Sequence, residues 1–242
     1  MGYKYFSWSV AVCAILTANT AFADDFSWSG VYLGANLAVG AGSSAWSDIV
    51  VPSDTEQNLS GEFTRHNVNG VGGGIQLGYQ KQLNQVVLGV EARVGYGDIS
   101  GSSQCVGQYG DYSAACETRI KTTAAAVARV GFVPAPKGLL YLTGGLALAD
   151  VEHKPTSEHG PYDSTLGYQG SSDWHAGYLV GGGFEYALDR HLSLGFEYNY
   201  QDFGCNNVYF AGNTPVNDYN PDFSIAARTH YSTAMLRVNY RF

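Results

Sequence analysis

Leu192, Leu194, Phe196, Tyr198 and Tyr200 alternate with Ser193, Gly195, Glu197, Asn199 and Gln201. A period of two with one apolar and one polar side is the signature of a half-buried β-strand. The C-terminus repeats it: Ala234, Leu236, Val238, Tyr240 and Phe242 alternate with Thr233, Met235, Arg237, Asn239 and Arg241. Six further segments follow the same rule. They begin at Val31 (to Val39), Val71 (to Gln80), Leu88 (to Tyr96), Ala124 (to Phe132), about residue 139 (to 151) and Tyr178 (to Tyr186). The series predicts an all-β chain.

The connections alternate in length. Short turns are expected at Lys81–Gln85, Pro134–Gly138 and Leu188–His191, and long loops at about 41–69, 100–119, 152–173 and 204–228. Short turns on one side and long loops on the other predict an eight-stranded antiparallel up-and-down transmembrane β-barrel, with the turns periplasmic and the loops extracellular. Strands of about 11 to 14 residues can cross the outer membrane at a tilt. A soluble sandwich or lipocalin-like barrel would turn its apolar face inward. The aromatics here fall at the ends of the apolar faces, at Trp28, Tyr79, Tyr96, Phe132, Tyr186, Tyr198, Tyr200, Tyr240 and Phe242, where interfacial girdles are expected.

Residues 1–23 read as a signal peptide. Lys4 is its positive end, Val10–Leu16 its apolar stretch and Ala21-Phe22-Ala23 its small-x-small cleavage site. The barrel domain is then 24–242. Composition sharpens this picture. The chain has 31 glycines and 18 tyrosines, and its net charge is −8. That charge disfavours nucleic acid as a partner. Without the leader, Cys105, Cys116 and Cys205 remain. Cys105 and Cys116 share one polar segment and are the expected disulfide, against the alternatives of three free thiols or a bridge through Cys205.

The polar faces define a candidate lumen of Asn36, Gln76, Glu91, Arg93, Arg129, Glu185, Glu197, Asn199, Arg237, Asn239 and Arg241. The lumen of an eight-stranded barrel is just wide enough to be filled by side chains. Charges that enter it must pair, so Glu91, Arg93, Arg129, Glu185, Glu197, Arg237 and Arg241 are expected to form a network that plugs the barrel. The alternatives are a small porin or transport channel. Carboxylates beside arginines make poor acids, and no catalytic triad or zinc signature is present, so no enzyme is expected. Gly72-Gly73-Gly74 and Gly181-Gly182-Gly183 lack the helix and Lys-Ser/Thr of a phosphate loop. No cofactor is expected, although His153 and His159 share one predicted loop and are candidate hemin ligands. The terminal strand, ending on Tyr240 and Phe242, has the form of an assembly signal that pairs edge to edge with the barrel assembly machinery.

Several motifs together resemble one family. They are Phe26-Ser27-Trp28-Ser29-Gly30-Val31-Tyr32-Leu33-Gly34, Gly74-Ile75-Gln76-Leu77-Gly78-Tyr79, Ala128-Arg129-Val130-Gly131-Phe132, Gly182-Gly183-Phe184-Glu185-Tyr186 and the ending Leu236–Phe242. This set is similar to the alphaproteobacterial outer-membrane surface-antigen family, which includes hemin-binding members. The resemblance implies an OmpA-like barrel, antigenic and abundant at the cell surface. The expected partners, read apart from the resemblance, are outer-membrane lipid and lipopolysaccharide, the barrel assembly machinery, and a host or environmental ligand at the long loops.

Overall fold

The computed structural model describes residues 26–50, 59–106, 113–157, 171–210 and 223–242. The predicted signal peptide, His159 and the tips of the four long connections lie outside the described residues. The eight strands are β1 (Gly30–Val50), β2 (Leu59–Leu83), β3 (Val86–Val106), β4 (Ser113–Ala135), β5 (Gly138–Ser157), β6 (Ser171–Ala187), β7 (Leu192–Phe210) and β8 (Phe223–Arg241). Each pairs antiparallel with its sequence neighbours, and β1 pairs with β8 to close the barrel.

The alternation sorts the faces as the sequence predicts. Leu37, Ile75, Val90, Leu146, Leu236 and their neighbours point outward and are exposed, whereas Gln76, Glu91, Arg93, Arg129, Glu197 and Arg237 are buried inside. An apolar exterior around a polar interior is stable only if the exterior meets hydrocarbon. Tyr79, Phe132, Tyr186, Tyr240 and Phe242 ring the short-turn end, and Tyr96, Trp174 and Tyr178 mark the other. Asn84 turns the β2–β3 hairpin in the left-handed region at φ 57°, which Asn tolerates better than most residues.

Two expectations need correction. Much of the first long connection is strand: β1 reaches Val50, and β2 already begins at Leu59. Above the apolar band no lipid covers the wall. Ladder hydrogen bonds continue there while the outer face turns polar, carrying pairs such as Arg65–Glu62 at 2.6 Å, Arg119–Asp98 at 3.1 Å and Lys121–Glu152 at 2.7 Å. The hydrophobic alternation stops where the membrane stops, not where the sheet stops. Trp28 is the second correction. It belongs to no outer girdle but is fully buried, because the segment before β1 folds into the barrel mouth, where the Trp28 backbone N–H donates to Gln82 Oε1 at 2.8 Å.

Candidate functional site

The lumen is built in tiers. At the short-turn end Trp28 packs with Val87, Val133, Leu139, Tyr141 and Ala187. Arg241, expected in the charge network, sits here instead. Its guanidinium lies 4.6 Å from the Phe26 ring and 5.1 Å from the Trp28 ring, and Nη2 donates to the Arg190 carbonyl at 3.0 Å. As the last inward residue of β8, it lies too near the barrel mouth to join the carboxylates.

Above this floor lies the charged belt. Glu91 Oε2 accepts from Tyr32 Oη at 2.5 Å and from Arg237 Nη2 at 2.5 Å, while Arg93 Nε binds Glu91 Oε1. Glu197 Oε1 accepts from Arg93 Nη1 at 2.5 Å. Glu197 Oε2 accepts from Tyr141 Oη at 2.7 Å and from Arg237 Nη1. Glu185 Oε1 accepts from Arg129 Nη2 at 2.7 Å and from Asn239 Nδ2 at 3.0 Å. Arg129 also donates to Tyr32 Oη at 2.8 Å and lies 3.9 Å from the centre of the Tyr141 ring. Three carboxylates thus meet three guanidiniums, and each Glu takes more than one charge-assisted bond. The partners cross the barrel: Arg93 on β3 reaches Glu197 on β7, the opposite wall.

Tyr32 and Tyr141 belong to this belt although the charge pattern alone does not select them. The signal was their position on the polar side of the alternation. Their rings need space, and glycines opposite supply it: a Cβ at Gly78 would stand 2.3 Å from the Tyr32 ring, and one at Gly183 would stand 2.6 Å from Tyr141 Oη.

The next tier is apolar, which a uniformly polar lumen does not anticipate. Ile99, Ile120, Val151, Leu179, Phe203 and Tyr231 pack together, with the Phe203 and Tyr231 rings stacked at 5.8 Å. Leu179 stands on the inward face of β6, and Ile99 and Ile120 lie on β3 and β4 near and beyond the expected strand ends. Between belt and apolar tier is a cavity of about 90 Å³.

Toward the extracellular end, above the apolar band, Trp46, His66, His153 and His175 are buried inside the wall. His153 is therefore no loop residue. It stacks on His175 at 5.7 Å, meets Trp46 edge-on at 5.4 Å and shares a 3.2 Å hydrogen bond with Thr118. Burial holds all three histidines below the usual imidazole range, and pushes His153, with help from the charges His175 and His66 would carry, down to about 3. Among the described residues no three His, Cys, Asp or Glu side chains are grouped as a metal site. The side chains of Cys105 and Cys116 lie outside the described residues. Cys205 is a free, exposed cysteine on β7. Tyr240 and Phe242 are exposed on the outer face of β8, their rings edge-on at 5.2 Å.

Comparison with known proteins agrees with this architecture. The family described as "Outer membrane protein beta-barrel domain" matches residues 9–242. The 31 kDa outer-membrane immunogenic protein of Brucella melitensis biotype 1 is 30% identical over 220 residues, covering 90% of this chain and 85% of that protein. The 22 kDa outer membrane protein of Rhizobium leguminosarum bv. viciae is 33% identical over 179 residues, covering 73% and 65%. Among solved structures, the outer membrane protein OprG from Pseudomonas aeruginosa aligns with a TM-score of 0.61 over 90% of this chain and 97% of that one, at 13% identity.

Proposed function

The chain belongs to the outer membrane protein β-barrel family, and from that membership we propose that it is a structural and surface-interaction barrel whose lumen is closed by its own side chains. It resides in the Gram-negative outer membrane, as its relatives do. The observation that carries the closed-lumen reading is the Arg93–Glu197 contact at 2.5 Å, which joins opposite walls. Around it the Glu91–Arg237 and Glu185–Arg129 pairs fill the same cross-section. Every carboxylate of the belt is engaged by guanidinium groups, which leaves none free to serve as a general acid or base and supports a non-enzymatic role. What the protein offers its surroundings is the extracellular wall.

Planar-bilayer recording of the purified, folded protein tests this reading. The expected result is an absence of steady open channels; sustained conductance would favour the porin alternative. Hemin capture through His153 would require that ring to leave its stack with His175 and Trp46. A hemin titration read at the Soret band should accordingly show no shift that depends on His153.

A further inference from the structure

The carboxylates of the belt are all engaged, but the outer wall carries groups of a different kind. Ser43 on β1, His230 on β8 and Asp202 on β7 stand in one row of the sheet, each the register partner of the next. Ser43 Oγ and His230 Nε2 lie 3.2 Å apart, within hydrogen-bond reach. Register partners on one face hold their Cβ atoms about 5 Å apart, so the Asp202 carboxylate lies close beside the imidazole. That carboxylate is fixed in turn, accepting from the Gly204 N–H at 2.8 Å and from Arg228 Nη2 at 3.2 Å. A hydroxyl, an imidazole in contact with it and a fixed carboxylate beside the imidazole are the parts of an activated nucleophile.

The surface next to the row sets the substrate. Four residues nearer the short-turn end on the same two strands, Val39 and Ala234 are partners in the wall of an apolar groove, which Leu37, Val71, Phe196 and Leu236 complete. Its bulky side chains are exposed on the lipid-facing side. A cavity of about 150 Å³ holds benzene, so a groove of about 660 Å³ takes an acyl chain. The partners between groove and row are Ala41 and Ser232, too short to close the path of about 13 Å. A lipid whose chain lies in the groove thus brings its ester to Ser43, just above the apolar band. We infer that the outer wall at Ser43 is an esterase site for an acyl-ester lipid of the outer leaflet. The site is separate from the lumen, and it stands or falls independently of whether the barrel conducts. Ser43 Oγ attacks the ester carbonyl carbon while His230 takes the hydroxyl proton. The bond to the alkoxy oxygen then breaks, and His230 returns the proton to that leaving group. Water, deprotonated by His230, cleaves the acyl-serine, which releases the fatty acid and restores the hydroxyl. Asp202 stabilises the imidazolium as it forms. Arg228, exposed two residues from His230 on the same face, offers positive charge to the oxyanion.

The folded, full-length barrel in detergent micelles is assayed with p-nitrophenyl decanoate and p-nitrophenyl acetate, and is labelled with a fluorophosphonate. Decanoate turnover at least tenfold faster than acetate turnover is expected, with an adduct on Ser43. Ser43→Ala and His230→Gln should each lower decanoate turnover by about a hundredfold or more. Either variant serves alone if the other does not fold. Ala234→Phe fills the groove with a side chain that lipid accepts, and should bring the decanoate and acetate rates together. No turnover above buffer in the wild type, turnover that survives Ser43→Ala, or an adduct on a different residue would each overturn the inference. So would a chain-length preference that Ala234→Phe leaves unchanged.

Discussion

Arg93 Nη1 donates to Glu197 Oε1 at 2.5 Å, and this one contact ties β3 to the far side of the barrel on β7. Both side chains are nearly sealed from solvent. Removing one partner leaves the other charged, buried and short of bonds. Glu197→Gln or Arg93→Met should therefore destabilise the barrel by about 3–5 kcal/mol, measured as the shift of reversible urea unfolding in lipid vesicles. The double variant should recover part of that loss.

Gly78 exists for Tyr32. A methyl group there would press into the tyrosine ring, whose hydroxyl holds both Glu91 and Arg129. Gly78→Ala should cost about 1–3 kcal/mol through overpacking. Combining it with Tyr32→Ala should cost less than the sum of the two single changes. Unfolding midpoints of the four proteins decide the matter; strict additivity would show that the ring has another way out.

The outward orientation of Ile75 can be tested by charge. Ile75 is 61% exposed, midway between Val71 and Tyr79 on the outer face of β2. Ile75→Arg should cost about 2–4 kcal/mol in a bilayer. The same substitution at Ser43, above the apolar band, should be tolerated far better in the same folding titration.

Acid should loosen the extracellular end first. Burial depresses the imidazoles of His66, His153 and His175, so below their ordinary value the unfolded chain binds protons that the folded one refuses. Their contribution is fully present above about pH 6.5 and drains away as pH falls toward about 3, the value to which His153 is pushed. Amide exchange at the upper ends of β2 and β5 should accelerate between pH 7 and pH 5 while the belt stays protected. His153→Gln should flatten that dependence.

Which side of each strand faces lipid was legible because the bilayer imposes it: Leu192–Gln201 has one apolar side and one polar side, and the barrel places them as that pattern requires. The belt's charges were legible for the same reason. Tyr32 and Tyr141 stand on the correct side, but alternation does not say how far a side chain reaches, or which carboxylate a strand stagger brings beneath it. Trp28 precedes β1, so no periodicity constrains it. The upper strands carry no such signal because β-pairing, unlike lipid contact, asks for no particular side chain. His153 then read as a loop residue, and the apolar tier around Ile99 and Ile120 fell partly in segments expected to be irregular.

The height of these walls bears on how the protein is seen from outside. Antiparallel pairing continues to Ile49 opposite Leu59, and to Val106 opposite Ser113. Residues that are distant in the chain, such as Ser47 and Ala226, therefore sit side by side on that wall. Antibodies directed at this region would read discontinuous epitopes printed on a folded sheet, and sera raised against linear peptides should recognise boiled protein better than whole cells.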